Sequence, residues 1–218
     1  NMDFATSYIT GNKVTTNQGD HTIINLGVAG VTGNKIFITG GKNYATGYNV
    51  YVTGKEAYIT NDGTAYVTGA LINITGGSNT VTSNVGKVFI TGNASTITNA
   101  AGGDISVTGN SSTVTNVDGG RIFITGYSST ISSNAGVVNI SGNTNTVTTP
   151  SGPVNITGTT TIGTASGTVN ATGINTITTA GGTVNASGVN TITTAEGTVN
   201  TSGVNTITTA QGTVNVTG

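Results

Sequence analysis

The side chains that most often do chemistry in proteins are few in this sequence and lie far apart. The 218 residues include one histidine, His21, and no cysteine, which excludes a disulfide framework and a thiolate metal site. No serine has both a base and an orienting acid available, which argues against nucleophilic catalysis. His21 is expected to be a solvated turn residue. We therefore predict a protein that is not an enzyme and that has no cofactor and no metal.

The carboxylates are scattered along the chain. They do not form the acidic, glycine-rich nonapeptide of calcium-binding β-rolls, so a calcium site is not favoured. Asn61-Asp62-Gly63 is better interpreted as a turn. The carboxylates are Asp3, Asp20, Glu56, Asp62, Asp104, Asp118 and Glu196.

Threonines recur in pairs separated by one residue. Each side chain is stiff about χ1 and carries both a hydroxyl and a methyl group, so a regular array of them can organise water or contact a partner. Ser132 and Gly163 interrupt the array. The candidate binding face consists of Thr80, Thr82, Thr96, Thr98, Thr113, Thr115, Thr146, Thr148, Thr176, Thr178, Thr191, Thr193, Thr206 and Thr208.

Asparagines form a second regular series, each two residues before a threonine or serine. Stacked Asn side chains can pass amide hydrogen bonds along a column. The same tripeptides are glycosylation sequons, but a glycan on every coil, at a spacing of about 4.8 Å, would crowd its neighbours. We favour the structural role, with the turn residues Asn93 and Asn110 as the expected exceptions. The series is Asn139, Asn155, Asn170, Asn185, Asn200 and Asn215.

These series require a repeating element, and the last third of the chain shows it directly. Residues 167–218 contain three copies of fifteen residues and half of a fourth. Repetition at a short fixed period is typical of a solenoid, in which each coil buries its apolar face by stacking on its neighbours. The predicted fold is all-β: a single β-solenoid of about 14 coils, with 14 to 17 residues per coil and two main strand faces.

Each half of a coil alternates apolar and polar residues, which is the period of a half-buried strand. Val169, Ala171 and Ile177 are predicted to point inward, and Asn170 and Thr176 outward. The strand motif, an apolar residue followed by Thr or Ser and usually Gly, is constant while the number of residues per coil changes. The extra residues of longer coils are therefore expected to lie in one turn.

Residues 1–218 are predicted to form one rod with three parts. Residues 1–30 fit the repeat loosely, although Ile9 and Ile24 are predicted to be in register with Ile38. Residues 31–127 carry aromatic and charged side chains, and residues 128–218 form near-identical Thr/Asn-rich coils. Only 6% of residues are charged and the net charge is −1, so neither nucleic acid nor an anionic membrane is an expected partner. No apolar run is long enough to span a bilayer.

Aromatic residues are confined to the earlier coils and occupy outward positions. An outward aromatic row is apolar surface, so we predict a lateral contact with a partner. Cross-strand pairing that stiffens the coils is the alternative. The candidate lateral contacts are Phe37, Tyr44, Tyr51, Tyr58, Tyr66, Phe89 and Phe123.

A column of alternating charge is also predicted in the earlier coils, which would fix the register between them. It consists of Lys42, Glu56, Leu71, Lys87, Asp104 and Arg121.

The Thr-x-Thr columns over residues 80–208, with segments such as GNTNTVTT and GVNTITT, resemble the Thr-rich β-solenoid antifreeze proteins of insects and grasses. That resemblance implies ice binding by a flat threonine array. The chain is also similar to the β-solenoid stalks, fibres and surface filaments of microbes and their viruses. This second resemblance, the near absence of charge and the uncapped last repeat favour an extracellular structural or adhesive rod at the cell surface. Its expected partner is itself, in a head-to-tail homopolymer, and ice or a surface ligand is the alternative partner.

Overall fold

The computed structural model describes residues 6–17, 20–99, 103–117, 119–134, 136–149 and 151–217. These residues form one 14-stranded sheet and contain no helix. Every strand pairing is parallel, and the chain winds into a β-solenoid of about 12 turns. The predicted fold class is confirmed, with a number of turns close to the 14 or so coils expected from the repeat.

The strands shorten and lengthen along the chain as the corners between them change. β2 is a continuous run of strand residues that covers several coils, whereas the middle coils are divided into short strands. The strands are β1 (Thr6–Asn17), β2 (Asp20–Thr91), β3 (Thr96–Asn99), β4 (Ile105–Thr108), β5 (Thr113–Asn116), β6 (Arg121–Thr125), β7 (Thr130–Ser133), β8 (Val137–Ser141), β9 (Asn145–Thr149), β10 (Val154–Thr164), β11 (Thr168–Thr179), β12 (Thr183–Thr194), β13 (Thr198–Thr209) and β14 (Thr213–Thr217).

Each strand pairs with the equivalent strand of the next coil, so identical positions lie directly over one another. Val154 pairs with Val169, which pairs with Val184. The inward side chains of the two strand faces form one continuous core of Ile, Val and Ala. Val169, Ala171 and Ile177 are all buried, and Asn170 and Thr176 are exposed, as predicted. Because hydrogen bonds and core contacts both run along the axis, each coil is held by its two neighbours.

Glycine is required where the chain turns sharply. Gly173 has φ +124, and a Cβ at this position would collide with the carbonyl oxygen of Gly158 one coil earlier. In the middle coils the same corner contains one further residue in the left-handed region, at φ between 54 and 59. These residues are Ala94, Ser111, Ser128 and Thr144.

Two sequence predictions are wrong, one about turn length and one about strand register. The coils around β5 and β11 differ by one residue in each of their two turns, so no single turn absorbs the whole difference in length. Ile9 pairs with Ile23 rather than Ile24, and Ile23 is buried while Ile24 is 53% exposed. A strand displaced by one residue turns its side chains to the opposite face, which explains the second error.

Candidate functional site

The predicted threonine array forms an ordered surface, here called the threonine face. Its two outward columns run through β3, β5, β7 and β9 and through the second halves of β10–β13. Thr96 pairs with Thr113, and Thr176 pairs with Thr191. Most of these side chains are exposed, while Thr98 and Thr115 are half-buried. All the threonines of the candidate binding face therefore lie in two parallel columns.

The first column of the threonine face continues into the aromatic coils. Phe37, Tyr51 and Tyr66 stack with ring centroids 4.6 and 5.2 Å apart. A groove of about 270 Å³ follows these rings and reaches Thr80 and Thr82. The rings therefore occupy the positions that threonine takes in the later coils.

The opposite surface, here called the asparagine face, carries an amide ladder. Its Asn column runs from Asn139 in β8 to Asn215 in β14. The Nδ2 of each of the later five residues donates to the Oδ1 of the asparagine one coil earlier, at 2.7–2.9 Å. The predicted ladder is confirmed.

Aromatic residues precede this ladder in the same column. Phe89, Ser106, Phe123 and Asn139 are paired in register. Tyr44 and Tyr58 form a further stack, with centroids 4.9 Å apart. The seven predicted lateral-contact residues therefore divide between two columns rather than forming one row. Phe37, Tyr44, Tyr66, Phe89 and Phe123 are 38–47% exposed, and Tyr51 and Tyr58 are half-buried.

A trough of about 910 Å³ follows the asparagine face from Phe123 to Thr217. One side is the amide ladder, and the other is a column of hydroxyl side chains two residues further along each strand, including Thr157, Thr172 and Ser187. None of the residues that line it is charged. This trough was not expected from the sequence.

Polar residues also form columns inside the rod, and these columns were not expected from the sequence. Asn175 and Thr179 are 2% and 4% exposed. Asn175 donates to Asn190, and Asn190 to Asn205, at 3.1 and 2.9 Å, so this inner ladder runs in the opposite sense to the outer one. The Thr179 hydroxyl donates to the carbonyl of Gly181 at 2.6 Å and closes a turn. Strict alternation from Ile177 would have placed both residues inward.

The predicted charge column is confirmed at two steps. Lys42 Nζ lies 3.2 Å from Glu56 Oε2, and Arg121 makes two bonds of 2.7 and 3.0 Å to Asp104. The hydrogen bonds from Arg121 hold the pKa of the Asp104 carboxyl below its ordinary value. The pKa of Lys42 is raised above its ordinary value, mainly by a hydrogen bond with Tyr44 and to a smaller extent by one with Glu56.

The two turn sequons have structural partners. Asn93 Oδ1 accepts a hydrogen bond from the backbone N–H of Asn110, and Asn110 Oδ1 accepts one from Tyr127, both at 3.0 Å. Both asparagine side chains are exposed. Glycosylation at these positions stays a prediction that intact-mass measurement tests.

The remaining candidates for chemistry are not brought together. Asp3 and Asp118 lie outside the described residues, as do the side chains of His21 and Asp20. Within the described part of the chain, no group of three or more His, Cys, Asp or Glu residues could hold a metal ion. Across the same residues, no helix is long and apolar enough to cross a membrane.

Comparison with known proteins gives no relative. No protein-family model, no curated protein and no solved structure matches the chain. The two faces and the stacking of the coils are therefore the features that indicate a function.

Proposed function

We propose that the chain is a non-enzymatic structural and adhesive rod that acts outside the cell, at a cell surface. The observation that supports this best is the unbroken parallel sheet of 14 strands. Its backbone hydrogen bonds lie along the rod axis, and the amide ladders add side-chain bonds in the same direction. Tension along the axis is therefore shared by many parallel bonds, which suits a stalk or fibre.

The exposed surface of β14 supports the proposal of assembly from end to end. Its inward-facing residues Val214 and Val216 are 38% and 59% exposed, because no coil covers them in this structure. A strand edge with unpaired backbone groups and apolar side chains favours the addition of another strand. The coil that adds this strand can belong to the same polypeptide or to a second copy. In a preparation of this 218-residue chain a second copy would supply it, which gives head-to-tail polymers.

Electron microscopy combined with light scattering tests this proposal. We expect the chain to form filaments whose length increases with concentration. Val216→Lys places a charge in the stacking surface and should shorten or abolish the filaments. Thr217→Lys adds the same charge on the outward side of the same strand and should leave them. Monomers alone at high concentration, or equal filament loss in both variants, would contradict head-to-tail assembly.

Ice binding is the second candidate function, and the register of the threonine face favours it. Outward neighbours along a strand lie about 7 Å apart and coils repeat at about 4.8 Å, so the paired columns form a regular lattice of hydroxyl and methyl groups. Ser132 and Gly163 are the interruptions.

An ice-recrystallisation assay distinguishes this function from the first. Arrest of crystal growth by the wild-type chain would support ice binding. Thr193→Tyr, on the threonine face, should then remove the effect, whereas Thr172→Tyr, on the asparagine face, should not. Filaments without any effect on ice would leave only the structural role.

A further inference from the structure

The trough on the asparagine face has a regular pattern of hydrogen-bonding groups. Each coil contributes one amide, such as Asn170, and one hydroxyl, such as Thr172. An Asn side chain has two N–H donors and two acceptor lone pairs. The ladder uses one of each, so one donor and one acceptor per coil stay available to a ligand in the trough.

The amides of the trough are held in place before a ligand binds. Asn170 donates to Asn155 at 2.7 Å and accepts from Asn185 at 2.8 Å. Side chains that are already ordered lose little conformational entropy on binding, so weak contacts at successive coils can add up to useful affinity. The ligand that benefits most is one that extends over several coils.

The charge of the trough excludes several classes of ligand. No lining residue is charged, so the phosphates of nucleic acids and the acid groups of anionic glycans have no cation to pair with. At the Phe123 end, Arg121 is paired with Asp104. A peptide that binds by strand addition needs a free strand edge, but the backbone of β11 is already paired with β10 and β12 on its two sides. A neutral polymer rich in hydroxyl groups fits these restrictions.

We infer that this trough binds an extended, uncharged polysaccharide that lies along the rod axis. Its hydroxyl groups would exchange hydrogen bonds with the amide and hydroxyl columns. The Phe123 ring, which carries the Arg121 guanidinium over it and is 40% exposed, marks one end of the trough. This inference rests on the proposed adhesive function and specifies its target.

A sedimentation assay with insoluble polysaccharides tests the inference. The full chain is mixed with cellulose, chitin or starch granules, and the unbound fraction is measured. The trough variant carries Thr157→Val, Thr172→Val and Ser187→Ala, which remove three hydroxyls with little change of shape. The matched control carries Thr161→Val, Thr176→Val and Thr191→Val on the threonine face. Far-UV circular dichroism confirms that both variants are folded.

We expect the wild-type chain and the control to bind at least one of these polysaccharides. The trough variant should bind at least about tenfold more weakly, because each lost hydrogen bond weakens binding severalfold. Absence of wild-type binding to all three polysaccharides, or equal loss in both variants, would overturn the inference. Stronger binding to dextran sulfate, an anionic glycan, than to these neutral polysaccharides would also overturn it.

Electron microscopy of the same samples separates this inference from the proposed rod assembly. Filaments that bind no neutral polysaccharide would contradict the trough assignment alone. Monomers that bind through the trough would contradict head-to-tail assembly alone and would support the trough assignment.

Discussion

The coils before residue 128 and those after it share the same columns and fill them with different side chains. On one face Phe37, Tyr51 and Tyr66 stack where the later coils place threonine. On the other, Phe89 and Phe123 precede the Asn ladder. The six Lys and Arg residues all lie at or before Arg121, and Glu196 is the one charged residue after it. The coil thus fixes where a side chain points, and the occupant of each outward position can change independently.

The two regions also differ in how they are held together. Aromatic stacks and ion pairs join adjacent coils in the first region, whereas amide ladders join them in the second. The apolar core does not distinguish them, since both regions place alanines among the buried isoleucines and valines, such as Ala45 and Ala57 in the first and Ala171 and Ala186 in the second. The two regions therefore differ in the side-chain contacts that join their coils, while both have the same kind of apolar core.

The largest expected effect is at a corner that both regions need. Gly173→Ala puts a Cβ against the carbonyl oxygen of Gly158 at a φ of +124. We expect it to lower the free energy of unfolding by at least about 3 kcal/mol, measured by thermal or denaturant unfolding. The control is Gly163→Ala, where the added Cβ would meet only Val147 O at 3.9 Å. The control should be neutral or slightly stabilising, and a similar loss in both variants would contradict the assigned corner.

Replacing an aromatic residue by the later occupant of its column tests the aromatic stacks. Tyr51 stacks on both Phe37 and Tyr66. Tyr51→Thr should therefore lower the free energy of unfolding by about 1–3 kcal/mol. Tyr127→Thr is the comparison, since that ring is 55% exposed. Equal melting temperatures of the two variants would show that the stack contributes little.

An apolar replacement in the core should stabilise the second region. The Thr201 side chain is buried, and its hydroxyl has no hydrogen-bond partner. Thr201→Val should raise the free energy of unfolding by about 1–2 kcal/mol, because it removes an unpaired polar group with little change of volume. Thr194→Val should have the opposite sign, since the Thr194 hydroxyl donates to Glu196 O at 2.7 Å. Calorimetry of both variants checks the two signs together.

A smaller effect on stability is expected at Thr144, in the last of the described corners that contain a non-glycine residue with positive φ. Thr144 is β-branched and has φ 59, a conformation that glycine adopts without strain. Thr144→Gly should raise the free energy of unfolding by about 1 kcal/mol. Thr159→Gly, at the corner of the next coil, should lower it slightly. A loss of stability in Thr144→Gly would contradict strain at this corner.

The smallest expected effect concerns the charged coils. Asp104→Lys replaces the bond to Arg121 by repulsion and should lower the melting temperature slightly, with exposed Asp62→Lys as the control. The pKa of Asp104 is below its ordinary 3.8, so its contribution is present at higher pH and is lost as pH falls through the lowered value. The difference in melting temperature between wild type and Asp104→Asn should close in that acidic range. An unchanged difference at low pH would exclude this ion pair as the cause.

The sequence predicted the outward columns well because the buried Val and Ile residues next to them recur at regular spacing. Thr96, Thr113 and Thr130 are aligned as expected, and so are the outer asparagines. The inward polar residues were missed because inward positions were assigned from apolar residues alone. The trough could not be predicted, since its shape depends on how the side chains of the Asn column and the hydroxyl column are arranged in three dimensions. The first coils were misplaced by one residue because their repeats are less regular.

The two amide ladders have a consequence for how rods can lie beside one another. Between Asn170 and Asn205 the outer ladder donates toward earlier coils, and the inner ladder donates toward later coils. Their side-chain dipoles therefore oppose each other, and a β-sheet adds only a small net dipole. A rod built in this way has little axial electric moment in these coils. Electrostatics would then impose no preference between parallel and antiparallel neighbours in a bundle.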